Sequence, residues 1–202
     1  TQDIGAGGNA LPYRWRPMGF EHDGKKYVNE RAIATQQTGF WFVGQSRGWL
    51  PDTIGGVNWF GCDDAATSYL TPIYTTINEV PDCFREGNGS MVVYSPTSAF
   101  WVTNRVANAC YKAYNMMEPT VRAAIDAWEN EMVEAVAKAD EEALKMYNAA
   151  SKKPVKQIKR NDKAQKIVDP YAEVRNYLTE FSVGNAQKIF NKWVDLEVLL
   201  LV

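Results

Sequence analysis

The sequence has little of what several common site chemistries require. Among 202 residues there is one histidine, His22, and there are three cysteines, at positions 62, 83 and 110, with no C-x-x-C pair. A structural zinc site needs about four such ligands at short spacing, and a disulfide framework needs more cysteines in regular positions. The sequence therefore predicts no metal site, no cofactor and no disulfide scaffold.

Excess charge and long apolar runs are also missing. Lys and Arg number 22 against 24 Asp and Glu, a formal net charge of -2, which leaves no global field for nucleic acid. The longest apolar run is the five residues at 198–202, far short of the roughly 20 that span a bilayer. We expect no nucleic-acid partner and no membrane span. The first residues, Thr1-Gln2-Asp3, are polar and resemble no signal peptide.

Glycine is nearly absent from the second half. Thirteen of the 14 glycines and five of the seven tryptophans precede residue 116, whereas 13 of 22 basic and 14 of 24 acidic residues follow it. Residues 1–95 are accordingly predicted to be Gly- and aromatic-rich loops and sheet strands, and residues 96–202 a helical cover and extension. Together they predict an α+β fold, with antiparallel strands followed by helices, in one structural unit.

Three stretches are typical of strands. Residues 38–46 are aromatic and β-branched on both faces, residues 57–62 follow after turn-forming residues, and Pro72 restricts residues 68–77 to a sheet edge or a bulge. We expect a hairpin over 38–62. Two strands apolar on both faces require covering layers, which would come from the second half or from protein outside these residues.

The second half shows helical periodicity. Ser95 and Pro96 predict a helix start, with the helix continuing to about Met117. A second helix is predicted from Pro119 to about Ala149, and a third from Asp169-Pro170 to Gly184, after which Asn185 would cap a last helix. The apolar stripe of the second helix comprises Val121, Ile125, Trp128, Met132, Val136 and Ala139.

Two charged or glycine-rich segments invite an anion-binding interpretation. Gly5-x-Gly7-Gly8 lacks the Lys-Ser/Thr of a phosphate loop and a preceding strand, which favours plain loop. Residues 152–166 hold seven basic residues and one acid, Asp162, without an interleaved aromatic residue. A solvated connector is the favoured interpretation there, and anion binding is the alternative.

No complete catalytic set is visible. Thr1 could act as an N-terminal nucleophile, but glycine-rich loop follows it. Cys62 precedes Asp63 and Asp64, which would raise the pKa of its thiol, so a structural cysteine is favoured. One of the two aspartates is expected to cap the turn at 65–66.

Four polar residues at the ends of the first two strands are the candidates for substrate contacts, because amides, a guanidinium and a carboxylate suit recognition of a peptide's charged or polar groups. Ordinary rim residues would look the same. The four are Gln36, Gln37, Arg47 and Asp63.

Several longer stretches of the sequence identify a protein family more specifically than these candidate residues do. They are YVNERAIATQQTGF (27–40), GGVNWFGCDDAAT (55–67), YLTPIY (69–74), GNGSMVVYSPTSAFWVTNRVAN (87–108) and NAQKIFNKW (185–193). These runs resemble the dipeptidase A-type cysteine dipeptidases, which belong to the penicillin V acylase-like N-terminal-nucleophile hydrolases. The resemblance extends over nearly the whole chain.

The resemblance implies an αββα sandwich in which an N-terminal cysteine attacks the amide bond of a dipeptide, with its own α-amine as base. The family's Cys-Thr-Asn-type start is not in this sequence. We therefore expect the chain to correspond to the C-terminal portion, with no catalytic residue of its own and the nucleophile in an N-terminal part that would be its partner. The family members that the chain most resembles are secreted or periplasmic, so we expect the same here, and a homo-oligomer is a possible assembly.

Two rival hypotheses remain from the sequence. The chain could be a non-catalytic binding or structural module that uses the same half of the fold, or an enzyme with Thr1 as nucleophile. Hydrolysis of dipeptides by the native protein, and its loss on Thr1→Ala, would separate them.

Overall fold

The computed structural model describes residues 20–27, 37–152, 157–158, 166–167 and 169–201. In chain order the strands and helices are β1 (Phe20–His22), β2 (Lys25–Tyr27), β3 (Phe40–Ser46), α1 (Asp52–Gly55), β4 (Gly56–Cys62), β5 (Thr71–Tyr74), α2 (Ala99–Lys112), α3 (Tyr114–Ser151), β6 (Gln157–Ile158), β7 (Lys166–Ile167) and α4 (Ala172–Leu201). All strand pairs in this part of the chain are antiparallel. The α+β prediction is confirmed.

The main sheet has three strands in the order β3-β4-β5. The predicted hairpin over 38–62 is confirmed, with Phe40 opposite Cys62 and Ser46 opposite Gly56. Strand β5 contains Pro72 and lies at an edge of this sheet, as expected for a residue without an amide hydrogen.

Of the two sources of cover expected for β3, the second half of the sequence does not provide it within the described chain. Phe40, Phe42 and Val43 are 62%, 59% and 52% exposed, and only Trp41 of this strand is half-buried. The reason is that the helices pack against β4 and β5, through Val57, Trp59 and Tyr74, so that β3 projects beyond them at the far edge of the sheet. Strand β4 is partly buried along its length.

The core lies between the sheet and the long helices. The predicted stripe of α3 is confirmed, because Val121, Ile125, Trp128, Met132, Val136 and Ala139 are all buried. One cluster joins Trp128 of α3 with Ile189 and Trp193 of α4 and with α2. A second cluster joins α3 and α4 to Val57 and Tyr74, which fixes the helices on the sheet.

The predicted helix start at Ser95-Pro96 is wrong by three residues. Ser95 instead donates from Oγ to Asn88 Oδ1 at 2.5 Å, and helix α2 begins at Ala99 after Ser98. The break comes at Ala113, whose φ of -149° interrupts the helical backbone, so α2 ends at Lys112. Pro119 lies inside α3 and does not begin it.

The predicted break at Gly184 is also wrong, because α4 continues through it to Leu201. Asn185 does not cap a new helix: its Nδ2 donates to the Phe181 carbonyl at 2.9 Å. Ser182 and Ala186, on either side, are fully buried. Tertiary packing of these turns outweighs the helix propensity of one glycine, which costs about 1 kcal/mol relative to alanine.

Two short ladders were not predicted, β1 with β2 and β6 with β7. The second one lies in the basic segment 152–166 and just beyond it, where few residues are described, so the choice between connector and anion site stays open. Thr1 and the loop at 5–19 lie outside the described residues.

Candidate functional site

The hairpin separates the predicted substrate contacts into two groups. Gln37 and Asp63 lie at its open end, where the Asp63 amide donates to the Gly39 carbonyl at 2.9 Å. Arg47 follows the opposite end of β3. At about 3.3 Å per residue the two ends are roughly 25 Å apart, which is more than one dipeptide can span. Gln36 lies outside the described residues.

Arg47 is held by several partners within the chain. Its Nη2 donates to the Ile54 carbonyl at 2.8 Å, its Nε to the Gly55 carbonyl at 3.3 Å, and its Nη1 to the Asp140 carboxylate. Tyr74 donates from its hydroxyl to the other oxygen of Asp140 at 2.7 Å. Burial, and then the bond to Asp140, raise the pKa of Tyr74. Arg47 thus joins the hairpin connection to α3.

A groove of about 520 Å³ lies beside Arg47, between β3 and α3. Its walls include Val43 and Trp49 from the hairpin side and Val133 from α3, together with Trp59. Trp59 Nε1 donates to Gln45 Oε1 at 3.1 Å, which fixes this indole beside the groove. Arg47 and Asp140 supply its charged groups.

Asp63 is the buried carboxyl group at the other end of the hairpin. Its residue is 3% exposed, and its φ of +64° lies in the left-handed region that aspartate tolerates better than most residues. Among the described residues, the side-chain donor to its carboxylate is Asn104 Nδ2, at 3.4 and 3.5 Å, and the Asp64 amide also bonds to it. Burial raises the pKa of Asp63 to about 6, although the Asn104 bond lowers it.

The neighbouring Asp64 is fully engaged, in contrast to Asp63. Its carboxylate accepts from the Ala66 amide at 3.2 Å, the Thr67 hydroxyl at 3.2 Å and the Tyr111 hydroxyl at 3.0 Å. The expectation that one aspartate caps the turn at 65–66 is confirmed for Asp64. The two carboxylates therefore have different roles. Asp64 fixes the turn, whereas the Asp63 carboxylate can still accept a further hydrogen bond.

None of the three cysteines has the environment of a nucleophile. They are all unpaired thiols, and Cys83 and Cys110 are buried. Burial raises the pKa of each thiol, those of Cys62, Cys83 and Cys110, to about 12. Asp63 contributes to the shift at Cys62, as the sequence predicted, but less than burial does. The thiolate is the reactive form, so these side chains are suited to packing.

Among the residues that the structure describes, no three His, Cys, Asp or Glu side chains are grouped so that they could hold a metal ion. In those ranges no helix combines the length and apolarity that crossing a bilayer requires.

Sequence reasoning missed three residues that contact the sheet from the helices: Glu129 and Asp140 on α3, and Ser182 on α4. Both acids lie outside the apolar stripe predicted for α3. Asp140 follows buried Ala139 and lies four residues after Val136, at the border of the apolar stripe. That border position was the signal available in the sequence.

Comparison with known proteins gives two matches. A stretch of 63 residues, 31% of this chain, is 32% identical to a protein named probable dipeptidase B from Lactococcus lactis subsp. lactis (strain IL1403). That stretch covers 13% of the Lactococcus protein. The family model for peptidase family C69 matches residues 12–127, which include the hairpin, Asp63 and α2. Because the match takes in more than half of the sequence, the chain belongs to peptidase family C69.

Proposed function

We propose that this chain forms part of a cysteine-type dipeptidase, to which it contributes sheet strands and helical cover. The cysteine that attacks the dipeptide amide would lie outside the 202 residues. Membership of a peptidase family supports the reaction class, and the relative named as a probable dipeptidase supports the substrate class. The dipeptidase A-type resemblance supplies the mechanism.

The state of the three thiols is the observation that carries the proposal. A cysteine nucleophile requires a thiol pKa lowered by a positive field, a base or a helix N-terminus. Here burial raises the pKa of all three thiols to about 12. A cysteine-dependent reaction in this family therefore calls for a further cysteine.

The chemistry then follows the N-terminal-nucleophile scheme. The α-amine of the nucleophilic cysteine takes the thiol proton, sulfur attacks the carbonyl carbon of the dipeptide, and the C–N bond breaks as the leaving amine gains a proton. Water hydrolyses the thioester and restores the cysteine. Hydrogen-bond donors would stabilise the oxyanion that forms in each step.

Within this scheme we assign substrate contact to the open end of the hairpin. Asp63 supports the assignment because, among the described residues, the side-chain donor to its carboxylate is the Asn104 amide at 3.4 and 3.5 Å, so that the carboxylate can also accept from the ammonium group of a dipeptide. Gln36 and Gln37 precede the same end. Arg47 would position the hairpin through Asp140 and would act at a distance from the substrate.

The test uses the native protein purified from its source. Intact mass gives its length, a panel of dipeptides gives its activity, and iodoacetamide followed by peptide mapping identifies the cysteine whose alkylation removes that activity. We expect hydrolysis that is lost when a cysteine other than 62, 83 or 110 is labelled. Matched Cys62→Ala, Cys83→Ala and Cys110→Ala variants should keep turnover.

Two results would contradict the proposal. One is an active protein that is inactivated by labelling Cys62, Cys83 or Cys110. The other is a folded native protein that hydrolyses no dipeptide, which would favour the binding or structural module. The resemblance also supports a secreted or periplasmic protein, which cell fractionation tests, and a homo-oligomer, which sedimentation tests.

A further inference from the structure

The two edges of the three-stranded sheet differ in the hydrogen bonds that they receive from the helices. At the β5 edge, the Leu70 amide donates to Glu129 Oε1 at 3.1 Å and the Tyr74 amide donates to Ser182 Oγ at 3.1 Å. The Leu70 carbonyl accepts from Trp128 Nε1 at 2.9 Å. Pro72, between them, has no amide hydrogen. Side chains of α3 and α4 thus bond to the outward backbone groups of Leu70 and Tyr74 at this edge.

The direction of the backbone groups of β3 follows from two hydrogen bonds that flank the strand. The Asp63 amide donates to the Gly39 carbonyl, and the Arg47 amide donates to the Gly55 carbonyl. In an antiparallel pair such bonded positions alternate. The odd-numbered residues 41, 43 and 45 therefore bond to β4, and the amides and carbonyls of residues 40, 42, 44 and 46 point away from it.

Nothing in the described chain meets those outward groups. Within the ranges that the structure describes, β3 is an outer strand of its sheet, and no side chain bonds to the outward amides of residues 40, 42, 44 and 46. Proteins usually protect such an edge with charge, proline or a covering element. Residues 38–46 contain neither a charge nor a proline, and Phe40, Phe42 and Val43 are more than half exposed.

We infer that the free edge of β3 pairs with a further β-strand of the same protein, contributed by the polypeptide that carries the nucleophile. This inference rests on the proposed function. The occupant is an extended, uncharged segment of about seven residues, whose backbone bonds to residues 40, 42, 44 and 46 and whose apolar side chains cover Phe40 and Phe42. Strand addition of this kind gives affinity through main-chain hydrogen bonds.

The length of the relative supports this occupant over a second copy. The same 63 residues are 31% of this chain and 13% of the Lactococcus protein, so that protein is about twice as long as this chain, and a protein of that length has further residues that can supply strands. A sheet of three strands is also smaller than the usual four to six. Pairing of β3 with β3 of a second copy is the alternative that the test must separate.

Amide hydrogen exchange tests the inference residue by residue. The amides of Phe40, Phe42, Gly44 and Ser46 should exchange freely in the isolated 202-residue chain and at least about 100-fold more slowly in the native protein from its source. Trp41, Val43 and Gln45 serve as internal controls, since their amides bond to β4 in both samples.

Two proline variants give a matched second readout. Gly44→Pro removes an outward amide, and a side chain at Gly44 meets nothing within 4 Å in this chain. It should leave the isolated chain as stable as before and destabilise the native protein. Val43→Pro removes an inward amide and should destabilise both.

The inference is overturned if the outward amides exchange equally fast in both samples, or if Gly44→Pro is harmless in the native protein. Protection already present in the isolated chain also overturns it. Sedimentation of that sample then distinguishes a dimer from pairing within the chain. If the native protein hydrolyses dipeptides but its outward β3 amides are not protected from exchange, this inference is wrong and the proposed function is unaffected.

Discussion

The guanidinium of Arg47 donates to the carboxylate of Asp140, and this ion pair links the hairpin connection to helix α3 across 93 positions of sequence. The Arg47 and Asp140 side chains are 4% and 17% exposed. Arg47 also donates to the carbonyls of Ile54 and Gly55. The pair fixes the end of β3 that leads into the hairpin connection. At the opposite end of the hairpin, the Asp63 amide donates to the Gly39 carbonyl just before β3.

Replacing Arg47 by methionine should destabilise the chain by about 3–5 kcal/mol, because the change leaves the poorly exposed Asp140 carboxylate without its counter-ion and the Ile54 carbonyl without its guanidinium donor. Urea unfolding measures the loss. Arg85→Met is the matched control: Arg85 is 54% exposed and pairs with Glu79 and Asp82, so its loss should cost no more than about 1 kcal/mol. Equal costs for the two variants would contradict the structural role of Arg47.

The buried carboxyl of Asp63 should make stability depend on pH in the direction opposite to that of a salt-bridged acid. Its pKa is raised to about 6 in the fold, above the unfolded value of about 3.9, so the fold is favoured while Asp63 is protonated. That contribution is complete below about pH 4 and is lost as the pH rises through 6. Asp63→Asn, which is neutral throughout and tolerates a positive φ, should therefore gain on the order of 2–3 kcal/mol at pH 8 and almost nothing at pH 4.

Unfolding of both proteins at the two pH values checks this prediction. Asp64→Asn is the control, since Asp64 accepts three hydrogen bonds and its replacement should weaken the fold at pH 8. An advantage of Asp63→Asn that is the same at both pH values would show that charge burial is not the cause.

The three thiols should react slowly in the folded chain. With each thiol pKa raised to about 12 by burial, the thiolate fraction at pH 8 is very small, and reaction with Ellman's reagent should be at least about 100-fold slower than in urea. Absorbance should report three thiols after unfolding. A thiol that reacts rapidly in the folded chain, located by peptide mapping, would contradict the packing role.

Glycine at position 184 should be replaceable with a gain in stability. It is exposed within α4, and a side chain there meets nothing within 4 Å, so Gly184→Ala should stabilise by about 0.5–1 kcal/mol. Gly61→Ala is the contrasting variant, because a methyl group would lie 2.5 Å from the Tyr69 carbonyl oxygen. Thermal unfolding should show opposite signs for the two changes.

Local patterns predicted the strand hairpin and the buried stripe of α3, because both depend on nearby residues. They failed where distant contacts decide. Glycine at position 184 is a local signal for the end of a helix, yet α4 continues past it because Ser182 and Ala186 on either side are buried in the core. The bond between Arg47 and Asp140 was not predicted, because the two residues are 93 positions apart in the sequence.

Strand β3 illustrates a different limit. Nine uncharged residues, 38–46, predict a strand with cover on both faces, but composition cannot say which part of the protein provides that cover. The open end of the hairpin shows the same limit. The predicted hairpin places Gln37 and Asp63 close together, but the burial of Asp63 and its 3.4 Å contact with Asn104 depend on how α2 packs against the sheet.

The protected edge of the sheet yields the last prediction. Ser182 accepts from the buried Tyr74 amide at 3.1 Å, so Ser182→Ala leaves that amide without a partner and should cost about 1–3 kcal/mol. Ser151→Ala is the control, because the exposed Ser151 hydroxyl bonds, among the described residues, to the Tyr147 carbonyl and the Tyr171 hydroxyl, and its loss should be close to neutral. Amide exchange adds a local readout: the Tyr74 amide should lose protection in Ser182→Ala while the amides of β4 keep theirs. A variant as stable as the parent, with Tyr74 still protected, would mean that α4 is not what closes this edge.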